Sequence, residues 1–239
     1  MAYSTTLTNF AQSVYLAVKN RYFDDITSTD GQTYISQVVD WINQYLDELE
    51  NVTDAFGRPV IFNFMRTNNY NLGTAVLGAS TLTLPAAVLR LVASPKRPVY
   101  IVVGGKTIST WNVVNANQID TNSTTKQVAQ TGGTLIFNQA LTSQEAGGTI
   151  YGDVATSLTR VATDGTDDSV LAVVKPKQLL VLGVAKNSSL PDIIKGGLSP
   201  SFVQKYNDLL TQAILLNSST ASADVTDRED WGFVTGVGF

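Results

Sequence analysis

Residues 99–114 read VYIVVGGKTISTWNVV. Two apolar, alternating runs flank Gly104-Gly105. Both central positions of a type I′ turn need a positive φ, which glycine adopts without steric cost, so the stretch predicts a β-hairpin. Outward from it the same period continues in short runs: VIFNF (60–64), STLTLP (80–85), LRLVAS (89–94), TLIFNQ (134–139) and TIYGDVATS (149–157). From about Arg58 to Val161 the chain therefore reads as a β-rich domain. Between Ala116 and Gly133 it is polar enough for a long exposed loop or a poorly paired edge hairpin.

On either side the period is helical. Residues 5–22 carry Leu7, Phe10, Ala11, Val14, Ala17 and Val18 at i, i+3, i+4 spacing, with Ser4 as N-cap. From about Thr33 to Glu50, Ile35, Val38, Val39, Ile42, Tyr45, Leu46 and Leu49 repeat in the same way, widened by Trp41, and the two segments read as an antiparallel pair. After Asp168 helical character returns. Pro176 is placed at the first position of a helix through QLLVLGVAKNSS, and the preceding run Val170–Val174 reads as a strand or an earlier helical turn. Ser199-Pro200 opens a last helix whose broad apolar face holds Phe202, Val203, Tyr206, Leu209, Leu210, Ala213, Ile214 and Leu216, closing at about Asn217.

The expected fold class is α+β. N- and C-terminal helix pairs (1–55 and 166–217) form one helical bundle, with a β-rich insertion (56–165) and an extended C-terminal arm (218–239).

The arm reads SSTASADVTDREDWGFVTGVGF. It has no helix or strand period, so it cannot bury enough apolar surface alone to offset its ordering entropy. Yet it carries an acidic patch (Asp224, Asp227, Glu229, Asp230) followed by Trp231, Phe233 and Phe239, aromatics that are a liability in water. These seven residues are the candidate partner-binding set. The acids steer the arm to a basic surface and the aromatics fill apolar pockets there.

Composition narrows the chemistry. Among 239 residues there is no cysteine and no histidine, which excludes disulfides, Cys/His zinc sites, Ser-His-Asp triads and imidazole acid–base catalysis. Hydrophobic residues at 44% and a mean hydropathy near zero indicate a globular chain, with no run long enough to span a membrane. The start, MAYSTTLTNF, has neither the basic nor the apolar region of a signal peptide. Charged residues make up only 15%, which suits a surface that packs against other protein, where desolvating charge is costly. A pI of about 4.8 argues against a role that grips phosphates.

Three motifs are read and set aside. Gly105-Lys106-Thr107 resembles the end of a phosphate-binding loop, but the glycine required five residues earlier is Tyr100, and a strand follows where a helix should start. Asp164-Gly165-Thr166-Asp167-Asp168 lacks the ligand spacing of a calcium loop. The remaining route to an enzyme is a carboxylate pair drawn from Asp24/Asp25, Asp47/Glu48/Glu50, Asp153 or Asp167/Asp168, most of which lie in turns or at a helix end. No catalytic residue, metal site or cofactor is expected. Asp47, Glu48 and Glu50 oppose the helix macrodipole, so they meet a basic neighbour, cap something else, present negative charge, or are simply solvated.

The order of these pieces resembles the head-to-tail adaptor proteins of tailed bacteriophages. The resemblance rests on the helical pair ending in Trp41–Leu49, PKQLLVLGVAKNSSLPD (176–192), SPSFVQKYNDLLTQAILLNSS (199–219) and the arm. Two stretches of the insertion are similar as well, STLTLPAAVLRLVAS (80–94) and GTLIFNQALTSQEAGGTIYGDVATS (133–157). It implies a structural, non-enzymatic virion protein assembled in the host cytoplasm, a homo-oligomeric ring, usually twelve-fold, that joins the portal protein to a tail nozzle or tail tube protein. Its arm would reach along the portal, and DNA would pass through its channel without specific binding. An acidic wall suits that passage. The competing class is a β-rich virion recognition module that binds a receptor or glycan.

Overall fold

The computed structural model describes residues 3–54, 57, 59–92, 98–165, 167–188 and 198–222, with side chains described as far as 216. Chain contacts divide it into a helical unit, residues 1–64 with 158–220, and a sheet unit centred on residues 65–157.

In the helical unit, α1 (Thr5–Lys19) starts where the Leu7 N–H donates to Ser4 Oγ at 3.0 Å, and ends at Asn20, whose left-handed backbone (φ 54°) closes the last turn. Helix α2 (Thr29–Glu50) is capped by Ser28, whose Oγ accepts from the Gly31 N–H. The short α3 (Val170–Val173) precedes α4 (Lys177–Asn187), so the run before Pro176 is helical and Pro176 is the residue just outside α4. Helix α4 is apolar over most of its circumference and packs against both α1 and α2. It comes close to α2 at Gly183, where a Cβ would stand 2.0 Å from the Tyr45 ring.

Helix α5 (Pro200–Ser222) opens where the Phe202 N–H donates to Ser199 Oγ at 3.2 Å, and it runs past Asn217. Among its described side chains only Tyr206 and Ala213 are buried, while Val203, Leu215 and Leu216 stay exposed.

The sheet unit is built from eight strands: β1 (Arg66–Thr74), β2 (Thr81–Thr83), β3 (Val88–Leu91), β4 (Val99–Val103), β5 (Lys106–Val113), β6 (Gln127–Thr131), β7 (Thr134–Phe137) and β8 (Thr149–Thr156). They form one curled sheet in the order β1-β8-β4-β5-β6-β7-β2, with β3 also paired to β8. The β4–β5 hairpin turns at Gly104-Gly105, both at positive φ as the sequence requires. The pairing of β5 with β6 is parallel. Curling lets one face bury its own core: Trp111 packs edge-on to Phe137, centroids 4.8 Å apart, among Leu72, Ile101, Val128, Leu135, Ile150 and Val154.

This arrangement corrects the expected fold. The structure is a mixed α/β protein with five α-helices and an eight-stranded half-barrel among the described residues, not a helical bundle bearing a β insertion. Two physical reasons account for the difference. Alternating strands that curl enclose a core without help from helices. And α5, assigned to the bundle for its apolar stripe, leaves Val203 and Leu216 of that stripe exposed and buries only Tyr206 and Ala213 of it. Of the two readings of the polar stretch 116–133, loop or edge hairpin, the structure has the loop up to about Thr125 and then β6, which turns into β7 as a hairpin but is also paired to β5 and so is no edge strand.

The Tyr45–Gly183 contact yields a stability test. In Gly183→Ala the added methyl cannot fit without separating α2 from α4, an overpacking cost of about 1–3 kcal/mol. The variant should melt several degrees below the parent, at about 2–4 °C per kcal/mol for a chain of this size, in thermal unfolding followed by circular dichroism.

Candidate functional site

The seven candidate residues of the arm, Asp224, Asp227, Glu229, Asp230, Trp231, Phe233 and Phe239, lie outside the described residues. What is described is the helix that leads to them and how that helix is held. Tyr206, 6% exposed, sets its ring edge-on to Tyr45 at 6.2 Å, and Lys186 Nζ of α4 lies 5.1 Å from the Tyr206 ring centroid. Burial, with Tyr206 alongside, pushes the Tyr45 phenol far above its ordinary value and keeps it neutral. The sequence pattern put Tyr206 in a broad apolar face but carried no signal that it would be the principal anchor.

The acidic end of α2 finds basic neighbours. Glu48 Oε1 accepts from Asn187 Nδ2 at 2.6 Å, and its Oε2 is 3.7 Å from Lys186 Nζ. Glu50, buried at the helix end, accepts from the Leu158 N–H at 2.6 Å and from both terminal nitrogens of Arg160 at 2.8 and 2.9 Å. Arg160 also donates to Asp47 Oδ1 at 2.5 Å. One turn earlier, Asn43 exchanges two hydrogen bonds with the Val161 backbone, at 3.0 and 2.9 Å. Asn43, Asp47 and Glu50 thus form one face of α2 that grips residues 158–161 as the chain re-enters the helical unit. The hydrogen bonds to Glu50 raise the Arg160 pKa further, against the opposing effect of burial.

Four more of the candidate carboxylates have hydrogen-bond partners, two within their own turns and two far along the chain. Asp25 and Asp167 accept from the hydroxyl and backbone N–H of Thr27 and Ser169, which lowers both pKa values. Asp168 accepts from Ser4 Oγ, and Asp153 from the Asn69 N–H. No cluster of three or more acidic side chains that could hold a metal ion occurs among the described residues. Nor is any described helix long and apolar enough to cross a membrane.

In the sheet unit a buried carboxylate pairs with a partly exposed lysine. Glu145, 1% exposed, accepts from Lys126 Nζ at 2.5 Å and from the N–H and hydroxyl of Thr142 at 2.8 and 2.9 Å. Lys126 Nζ sits 4.9 Å from the Trp111 ring centroid. Burial alone would raise the Glu145 pKa, but the hydrogen bonds from Lys126, Ser109 and Thr142 outweigh it and bring the carboxyl down from 4.5 to about 2. Beside this pair, Asn138 organises the β5–β6 crossover. Its Nδ2 faces the carbonyl oxygens of Asp120, Ser123 and Thr125 at 3.0, 3.3 and 2.9 Å, and its Oδ1 accepts from the Gln127 N–H.

Comparison of the chain with models of known protein families and with curated proteins finds no match.

Two measurements check these networks. Arg160→Met leaves Glu50 at the helix end without its cation and should cost about 2–3 kcal/mol by urea denaturation at pH 7, less than a fully buried pair because the guanidinium is partly exposed. Glu145 gives a pH signature. Its folded pKa lies below the unfolded one, so its stabilising contribution is full above about 4.5 and fades as pH falls toward 2. Lys126→Met removes the cation that lowers that pKa. The stability gap between parent and variant should therefore be widest near neutral pH and narrow steadily below about 4.5.

Proposed function

We propose that this chain is a structural subunit of a cyclic virion connector, a head-to-tail adaptor that joins a portal ring to the tail and through whose channel DNA passes. The reading comes from the sequence resemblance. The observation in the described chain that supports it most directly is α5: a long terminal helix held through Tyr206 and Ala213, carrying exposed Val203, Leu215 and Leu216 toward an arm with three aromatics. A helix that keeps aliphatic side chains at its surface suits burial against a neighbouring subunit. Low charge content and a net charge of −4 are compatible with close subunit packing and with a wall that does not bind phosphates.

Within this reading Asp224, Asp227, Glu229 and Asp230 steer the arm to a basic portal surface, and Trp231, Phe233 and Phe239 anchor it. The contacts between copies are heterologous and close into a ring, with the portal setting the copy number. The second reading, a receptor- or glycan-binding module, has one specific feature in its favour. On the sheet face opposite the core, Tyr100 and Tyr151 stack at 5.5 Å beside Asn69, which accepts from the Tyr100 hydroxyl at 3.0 Å.

The decisive variant is Trp231→Ala/Phe233→Ala. Each docked aromatic contributes on the order of 2 kcal/mol, so the double variant should lose the portal in co-sedimentation while its melting temperature stays within a degree or so of the parent. Unchanged portal binding by the double variant would overturn the arm as the anchor and move the interface onto the helices, and glycan binding by a chain ending at Ser219 would overturn the adaptor reading.

A further inference from the structure

The face of the sheet turned away from the core is ordered in two rows across β8. Ile150 and Val154 of that strand belong to the core, so the alternation of side chains sets Tyr151, Asp153 and Ala155 on the opposite face. Ala155 is paired in register with Arg66 of β1 on one side and Arg90 of β3 on the other, which places both half-buried arginines on that face. Tyr151 comes four residues earlier in β8, about 13 Å away at roughly 3.3 Å per residue. It is paired with Tyr100 of β4, and the two rings stack at 5.5 Å. Asp153 lies between the rows, its Oδ1 accepting from the Asn69 N–H at 2.9 Å.

Two arginines against one aspartate leave this face positive. Among the described residues of the sheet unit no other two cations are neighbours in register, for Lys126 is held by Glu145 and Trp111, and Lys106 stands at the β4–β5 turn. The acid between the rows disfavours a nucleic acid, whose continuous phosphates would meet Asp153 as well as the arginines.

The arm offers the complement in the same order and at the same spacing. In an extended segment alternate residues share a side, so Asp227, Glu229, Trp231 and Phe233 fall in line, two acids and then two aromatics. Glu229 and Phe233 are four residues apart, which is the separation of the arginine row from the tyrosine row. In that register Trp231 comes to Asp153, where its indole N–H meets an acceptor. A shift by two residues would instead set Glu229 against Asp153, carboxylate on carboxylate. Residues 223–231 reach up to about 30 Å when extended, and tethering presents the arm to its own chain at an effective concentration on the order of millimolar, above that of a second copy in dilute solution.

We infer that in the free subunit residues 227–233 lie across this face of their own chain, with Glu229 at Arg66 and Arg90, Trp231 at Asp153, and Phe233 against Tyr100 and Tyr151. This rests on the reading of the arm as a docking segment and adds its regulation: the residues that anchor it to a partner are sheltered until the partner competes for them.

Acrylamide quenching of tryptophan emission in the full-length purified subunit tests the seat. Trp41 and Trp111 are 8% and 0% exposed, so the difference between the parent and Trp231→Phe is the emission of Trp231. That emission should be quenched several-fold less than the emission of a synthetic peptide of residues 223–239. Asp227→Asn/Glu229→Gln, which leaves every described residue unchanged, should bring quenching up toward the peptide's level with the melting temperature of the parent, and Arg66→Gln/Arg90→Gln should do the same. Trp231 as open to quencher in the parent as in the peptide would overturn the inference, as would protection that survives Asp227→Asn/Glu229→Gln, whatever the arginine variant does. Protection lost on roughly hundredfold dilution would assign the seat to the arm of a second copy and overturn it too. No portal enters this measurement. A protected Trp231 together with unchanged portal binding by Trp231→Ala/Phe233→Ala would refute the arm as the portal anchor and leave the seat standing.

Discussion

The grip of α2 on residues 158–161 is the constraint on which the helical unit depends. That unit is discontinuous in sequence, because residues 65–157 are spent on the sheet before the chain returns. Bringing the two halves together carries a loop-closure cost that grows only with the logarithm of the intervening length, so a few well-placed contacts offset it. Glu50 provides several at once, accepting from the Leu158 N–H and from Arg160, while Asn43 holds Val161 through both its amide and its carbonyl oxygen. Removing one member costs more than the contact it makes, since the partner left behind keeps its desolvation without its counter-charge. With the re-entry fixed, α4 packs against α1 and α2, and Lys186 and Tyr45 are in place to receive Tyr206.

Local chemistry was readable in the sequence wherever one residue suffices to set a backbone. Ser4 and Ser199 cap the helices that follow them, and Gly104-Gly105 makes the hairpin turn, because caps and I′ turns need particular side chains at particular positions. Long-range choices were not readable. The acidic residues at the end of α2 gave four open readings, and only Arg160 and Lys186, distant in sequence, decide between them. The parallel pairing of β5 with β6 was hidden because its crossover is a polar loop shaped by Asn138 and Gln127 side chains, without apolar period. The bundle expectation failed on the curled sheet, and the apolar stripe of α5 was over-read for a related reason. An amphipathic stripe records that a helix has an apolar face, not that its own chain covers that face. The candidate arm residues rest on sequence alone.

Buried charge in the described structure shows why so neutral a chain still carries an ion pair in its sheet unit. Glu145 is enclosed, and a lone carboxylate there would be intolerable, yet with Lys126, Ser109 and Thr142 around it the charged form is favoured. The pair joins the β5–β6 crossover to the segment 138–148, whose backbone hydrogen-bonds residues 75–79 and whose Leu141 packs into the core. An apolar pair in its place could match it in stability but could not fix direction, since hydrophobic contact is not directional while a Lys–Glu hydrogen bond is. Rigidity at that end of the sheet is therefore built from a few directional bonds added to the apolar core.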